Sequence, residues 1–137
     1  MIHTTHAGTR ALVAAVNADE VITGSFVNAG AIIRYIRAAR PSVLSLVCAG
    51  FEGERQAAED IACAEYIRDA IVDRPQSMDA IRETLMRAPS ARRFFDENDP
   101  HSPEADFHLC LALDRFDFII CRIRADQNAC LLRRRAV

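Results

Sequence analysis

The first half of the chain alternates short apolar runs with helical patterns, and this alternation constrains the fold more than any other feature. The apolar runs, which are typical of strands, occupy residues 1–5, 21–23 and 43–47. The helical patterns occupy residues 9–17, 28–40 and 57–73. Repetition of strand and helix favours parallel strands joined by helical crossovers. We therefore predict an α/β fold with a three-layer, mainly parallel sheet.

The second half carries weaker signals. Ser77 can cap a helix that starts at Met78, and Pro89 follows it. Residues 91–103 are polar and contain two prolines, which predicts a mobile connection. A further helix is expected over 103–113 and a last strand over 118–123, and the arginine-rich tail is expected to be a solvated end. At 137 residues the chain suits one domain, residues 1–137.

Charge and hydropathy exclude some functional classes. The net charge is −2, which does not favour binding to nucleic acid or to an anionic membrane. All 17 basic residues are arginines, a bias that base composition explains, although arginine also binds planar anions well. No apolar run approaches the roughly 20 residues of a membrane span, and no signal peptide is visible. We therefore expect a cytoplasmic protein.

Three predicted strand-to-helix loops share small and hydroxyl residues. Ligands of parallel α/β sheets bind where such loops converge, and helix N-termini present unpaired N–H groups to anions. The loops therefore predict a phosphate or carboxylate site, although the same residues also make good turns and caps. Its candidate binding residues are Thr4, Thr5, Gly8, Thr9, Ser25, Asn28 and Gly50.

Two acidic residues, Glu59 and Asp60, begin the third helical pattern. Acids in a first turn complement the helix dipole, and they could equally hold Mg²⁺, which takes one or two carboxylates plus waters and phosphate oxygens. Neighbours on a helix point about 100° apart, so one of the pair could bind metal while the other caps the helix. Both are candidate metal ligands and catalytic residues.

Cys48 ends the third apolar run and precedes a glycine-containing loop. A cysteine phosphatase requires five residues between its cysteine and its arginine, whereas six residues separate Cys48 from Arg55. Glu52 and Glu54 would also repel an anion. Cys48 is therefore either a packed thiol or a catalytic residue of another kind. The five cysteines are odd in number and scattered, which argues against a disulfide framework.

The order of these motifs resembles the 2-phosphosulfolactate phosphatase family. The resemblance covers about 110 residues. These residues are similar to the C-terminal portion of that family, whose N-terminal part would precede Met1. Glu65 departs from the family pattern, which usually has glycine there. The motifs that carry the resemblance are TTHAGTR at 4–10, GSFVNA at 24–29, CAG at 48–50, Glu59-Asp60 with Cys63-Ala64, and DFHLC at 106–110 with Asp114.

The resemblance implies Mg²⁺-dependent hydrolysis of a small phosphate monoester. In that family 2-phospho-3-sulfolactate yields 3-sulfolactate and phosphate, a step of coenzyme M biosynthesis. The substrate would be a small anionic phospho-acid, bound by the three loops, with Glu59 or Asp60 on the metal side. The alternative is a truncated, non-catalytic module that binds an anion or associates with another chain. Because a missing half would expose apolar surface, we also expect a homo-oligomer.

Overall fold

The computed structural model describes residues 7–50, 55–126 and 129–137. Helices dominate these residues. Five α-helices are present there: α1 (Gly8–Ala14), α2 (Ala29–Ala39), α3 (Ala58–Ile71), α4 (Met78–Met86) and α5 (Glu104–Cys110). Two 3-10 helices occupy Phe26–Asn28 and Pro89–Phe95. The strands are β1 (Ile22–Thr23), β2 (Phe118–Ala125) and β3 (Cys130–Ala136).

The three strands form an antiparallel sheet in the order β1-β2-β3. β2 is the central strand because it pairs with both β1 and β3. Its alternate residues Ile119 and Cys121 are fully buried, at 0% and 1% exposure. Cys121 pairs with Ile22 of β1 and with Arg133 of β3. The β2–β3 register shifts between Arg122 and Arg124, where β2 carries one extra residue. The sheet therefore joins residues 22–23 to the last two strands, which lie about 100 positions further along the chain.

Helix α2 packs on the sheet through an apolar stripe. Its residues Ala29, Ile32 and Ile36 are buried and join Ile119 and Cys121 in one core cluster. Helix α3 adds Ile67 to the same cluster. A second cluster, around Phe26, Phe107 and Leu111, lies among α4, α5 and the 3-10 helix Pro89–Phe95. Within the described residues, no helix is long and apolar enough to cross a membrane.

The structure confirms a mixed helix-and-sheet fold, but the prediction of a mainly parallel sheet is wrong for the described residues. β1 is as predicted, yet its partner is the distant β2 rather than a neighbouring strand in sequence. Residues 43–47 form no strand. Alternation of strands and helices indicates the types of element but does not specify which strands pair. In the structure, β1 pairs with β2, whose residues Ile119 and Cys121 are buried in one core cluster with α2.

One further prediction is confirmed with an addition, one needs correction and one lies outside the described residues. The arginine-rich tail is exposed along most of its length, as predicted, but it also forms strand β3. The connection predicted to be mobile begins with the 3-10 helix Pro89–Phe95, because Ala91 is buried in the second core cluster. The strand predicted over residues 1–5 falls among residues that the structure does not describe.

Candidate functional site

The second predicted loop is built around the buried amide of Asn28, which is 5% exposed. Its Oδ1 accepts hydrogen bonds from the Ser25 backbone N–H (3.3 Å) and from the Ser25 hydroxyl (3.2 Å). Its Nδ2 donates to the Phe118 carbonyl of β2 (3.1 Å). A buried amide requires such partners because an unpaired polar group is costly. Asn28 thus connects this loop to the sheet, and Ser25 lies beside it.

The N-terminus of α2, which follows this loop, already holds a carboxylate. The Gly30 N–H donates to Oδ1 of Asp114 at 2.6 Å. A side chain at position 30 would collide with that carboxylate, since a Cβ there would lie 2.6 Å from Oδ2. Asp114 is in turn placed by its own N–H, which donates to the Phe26 carbonyl. The position where an anion was predicted to bind is therefore occupied by Asp114.

The third loop has the same arrangement. The Gly50 N–H donates to Oδ2 of Asp60, the third residue of α3, at 2.8 Å. Gly50 has a φ of +73°, and a Cβ there would lie 2.5 Å from the Arg55 carbonyl oxygen, so the loop requires glycine. The backbone N–H groups of Gly30 and Gly50 thus each bind a carboxylate of the chain itself. The first binds Asp114 and the second binds Asp60.

Glu59 and Asp60 point to different neighbours, as their helical spacing predicts. Oε2 of the exposed Glu59 accepts from the Ser90 hydroxyl at 3.2 Å, on the 3-10 helix Pro89–Phe95. Asp60 is half-buried and faces the Gly50 loop. Within residues 7–50, 55–126 and 129–137, no three Cys, His, Asp or Glu side chains are grouped to hold a metal ion. Of the two acids, Asp60 is therefore the one that faces a predicted loop.

Cys48 lies close to Asp60 and to Cys63 of α3. Desolvation, followed by the negative charges of Asp60 and Glu65, raises the pKa of the Cys48 thiol although the residue is exposed. Burial, followed by the charges of Asp60 and Cys48, raises the pKa of Cys63 to about 12. A raised pKa keeps a thiol protonated near neutral pH, and the thiolate is the nucleophilic form. This setting argues against Cys48 as the attacking group.

The first predicted loop is described only from Ala7 onwards, so Thr4 and Thr5 lie outside the described residues. Gly8 and Thr9 form the first turn of α1. The other end of this short helix is held by Arg122 of β2, which donates to the carbonyls of Leu12 (2.7 Å) and Ala15 (2.8 Å). A cation at the C-terminal carbonyls complements the helix dipole. Gly8 and Thr9 are thus positioned through the sheet.

Two residues of this region were not among the sequence-based site predictions. Asp114 was named only as part of the family-like motif at 106–110 and 114, and its contact with Gly30 now gives it a role. Its φ of +56° is a conformation that aspartate tolerates better than most residues, but an isolated Leu-Asp-Arg does not reveal this in sequence. Ser90, the partner of Glu59, comes from the connection that was predicted to be mobile.

Comparisons with known proteins point to one family. The sequence model of the 2-phosphosulpholactate phosphatase family matches residues 1–123. A probable 2-phosphosulfolactate phosphatase of Caldicellulosiruptor saccharolyticus is 34% identical over an alignment of 140 positions. This alignment covers 88% of this chain and 55% of that protein. A protein of the same name from a Nostoc species is 36% identical over 69 residues, covering 50% of this chain and 28% of its own. The chain thus spans about half the length of the first relative. No solved structure matches.

Proposed function

Because the chain belongs to the 2-phosphosulfolactate phosphatase family, we propose that it hydrolyses a small phosphate monoester. The proposed substrate is 2-phosphosulfolactate, which would give 3-sulfolactate and inorganic phosphate. The family match over residues 1–123 is the observation that carries this proposal. The proposed setting is the cytoplasm, where this step would belong to coenzyme M biosynthesis.

The proposed metal is Mg²⁺, with Asp60 as its ligand from this part of the chain. Asp60 supports this role because the Gly50 amide fixes the direction of its carboxylate. Glu59 is the weaker candidate because its carboxylate turns towards Ser90. Bound Mg²⁺ would neutralise phosphate oxygens and so stabilise negative charge during transfer of the phosphoryl group.

The three loops are the proposed substrate-binding walls, comprising Thr4, Thr5, Gly8 and Thr9, then Ser25 and Asn28, and finally Gly50. In this proposal Ser25 and the backbone amides contact the phosphate, while Asn28 holds its loop against Phe118. Cys48 lines the third wall as a neutral thiol. A phosphate that reaches the Gly30 or Gly50 amide must displace the carboxylate of Asp114 or Asp60, or bind beside it through a metal ion.

The test is phosphate release from 2-phosphosulfolactate by the purified chain, with Mg²⁺ and with chelator, against a panel of other phosphocarboxylates. We expect Mg²⁺-dependent release, a loss of about 100-fold or more in Asp60→Asn, and a loss below about tenfold in the matched variant Glu59→Gln. Equal losses in the two variants would contradict the assignment to Asp60. Absence of turnover on every substrate would contradict the proposed activity of this chain.

The second candidate is a non-catalytic module that binds an anion or assembles into a homo-oligomer. The observation that favours it is coverage, since the chain spans 55% of the first relative's length. This non-catalytic candidate predicts a preparation that releases no phosphate from any substrate. The same preparation should bind phosphate in calorimetry or form a dimer in sedimentation.

A further inference from the structure

Strand β3 lies at the edge of the described sheet and buries little of its side-chain surface. The strand order β1-β2-β3 places it outermost. Within Cys130–Ala136, Cys130 is half-buried and the other six residues are exposed. Local opening of an element costs less free energy when it uncovers little apolar surface. The attachment of β3 therefore depends on its backbone pairing with β2 and on a few side-chain contacts.

One group of side chains fastens the C-terminal end of β3 to the rest of the fold. Nη1 of Arg135 donates to Oε1 of Glu20 at 2.8 Å and to the Tyr35 hydroxyl at 2.7 Å. The Tyr35 hydroxyl donates to the other carboxylate oxygen of Glu20 at 2.6 Å. The Arg135 guanidinium also lies over the Tyr35 ring, 5.6 Å from its centroid, which is within the range of a cation–π contact. These three residues are called the latch below.

The latch joins three separate parts of the chain. Glu20 precedes β1, Tyr35 belongs to α2, and Arg135 belongs to β3. Tyr35 packs against the first core cluster, so one side of the latch is anchored in the folded body. Arg135 pairs with Ile119 of β2, and residues opposite each other in an antiparallel pair project from the same face of the sheet. Helix α2 packs on that face, which is why the guanidinium reaches Tyr35.

The latch is more than a surface ion pair. A single exposed pair contributes little to stability, and the pair of Glu20 and Arg135 is partly exposed. Here, however, each of the three residues contacts the other two, and the Tyr35 hydroxyl both accepts and donates a hydrogen bond. The bond with Glu20 raises the pKa of Tyr35, so this hydroxyl remains a donor well above neutral pH. Charged groups in a connected network stabilise a contact more than an isolated pair does.

Separation of β3 from β2 would also affect the first candidate loop. Helix α1 contacts both β2 and β3, and its first turn carries Gly8 and Thr9. A short helix depends on tertiary packing, so loss of β3 weakens the support of α1. We propose that β3 is a strap fastened by the latch. The strap separates from β2 while the core stays folded, and its separation loosens α1 together with Gly8 and Thr9.

The experiment is amide hydrogen exchange of the 137-residue chain, followed by NMR under conditions where the rate reports the opening equilibrium. We expect the amides of β3 to exchange faster than the Arg122 amide, which donates to the Val21 carbonyl on the β1 side of β2. Arg135→Gln should accelerate exchange in β3 about tenfold and should also accelerate the Ala11 amide of α1, while the Arg122 amide changes less than about twofold. The matched control is Arg133→Gln, which removes the same charge from an exposed position of β3 outside the latch. It should change exchange in β3 less than about twofold.

A double variant tests whether the latch acts as a unit. Members of one network are coupled, so Glu20→Gln combined with Arg135→Gln should exchange less than about twofold faster in β3 than Arg135→Gln alone. Accelerations by the two single variants that multiply in full would mean that Glu20 and Arg135 act independently, and would overturn the latch.

Other outcomes would also overturn the proposal. The amides of β3 could exchange no faster than the Arg122 amide, which would mean that the sheet opens only as a whole. Arg135→Gln could leave β3 unchanged or accelerate it no more than Arg133→Gln does, and either result would remove the role of the latch. An Ala11 amide that does not follow β3 would overturn the effect on α1. Since every readout is an exchange rate, failure of the phosphatase assay leaves the result unaffected.

Discussion

At the scale of single residues, Asp114 combines an unfavourable backbone conformation with a helix cap. Its φ is +56°, and its carboxylate accepts the Gly30 N–H at the start of α2. We predict that Asp114→Ala lowers the free energy of unfolding by about 2 kcal/mol, from loss of the cap and from the cost of a left-handed alanine. Asp114→Asn should cost less, because asparagine tolerates this conformation and keeps an acceptor oxygen. Urea denaturation measures both.

Asp73 provides the control for that experiment. It has a nearly identical φ of +58°, and its carboxylate forms an exposed ion pair with Arg37 instead of binding a helix N-terminus. Such pairs contribute little, so Asp73→Ala should cost about 1 kcal/mol, mainly through the backbone. Equal costs at the two positions would show that the carboxylate of Asp114 does not stabilise α2.

Asn28 is the one buried polar residue among the described core positions, and its amide joins two segments. Asn28→Ala leaves the Ser25 N–H and the Phe118 carbonyl without this partner, so we predict a loss of about 2–3 kcal/mol. Ser25→Ala leaves the bond from the Asn28 amide to Phe118 in place and should cost about 1 kcal/mol. Thermal denaturation of both variants tests this, and a smaller loss in Asn28→Ala than in Ser25→Ala would contradict the role assigned to the amide.

Cys63 predicts a change of stability at alkaline pH. Its pKa is raised from the ordinary thiol value of 9.0 to about 12 in the folded chain, chiefly by burial. The unfolded chain therefore loses this proton first. The contribution of Cys63 to stability is complete below pH 9 and declines as the pH rises towards 12. Urea denaturation between pH 8 and pH 11 should show a shallower decline in Cys63→Ala than in the unmodified chain, and equal slopes would contradict the assignment.

At the scale of elements, the 3-10 helix Pro89–Phe95 is fixed by aromatic contacts with α5. The ring of Phe107 lies 5.2 Å from that of Phe95 and 6.0 Å from that of Phe94. Phe107 is buried, so we predict that Phe107→Ala lowers the free energy of unfolding by about 3–5 kcal/mol. Phe116→Ala, at a ring that is 46% exposed, is the matched control and should cost less than about 1 kcal/mol. Comparable losses would show that this cluster does not hold the element.

The helices could be predicted from the sequence because each carries its own signal. The stripe of Ile32 and Ile36 indicates α2, and Ser77 caps α4 by accepting the Ala80 N–H, as its position predicts. The pairing of strands could not be predicted, because the paired residues Ile22 and Cys121 lie about 100 positions apart in the sequence. Residues 43–47 have the sequence of a buried strand, yet Val43, Leu44 and Val47 are exposed.

The candidate site could likewise be predicted only in part from the sequence. Glycine at position 50 and the acidic start of α3 were visible in sequence, and the structure joins them through the Gly50–Asp60 hydrogen bond. The contact of Gly30 with Asp114 spans 84 positions, so no local pattern could reveal it. Local motifs therefore predicted which loops contain candidate residues, while long-range contacts determine which carboxylate faces each loop.

At the scale of the whole molecule, the apolar residues of 43–47 contribute unequally to the stability of the chain. Val43 and Val47 are mostly exposed, so the double variant Val43→Ser/Val47→Ser should change the free energy of unfolding by less than about 0.5 kcal/mol. Leu46 packs against the first core cluster, so Leu46→Ala should cost more than the double variant does. Urea denaturation of both variants measures this. A double variant that is less stable than the unmodified chain by more than about 2 kcal/mol would mean that the two valines are covered in the folded chain.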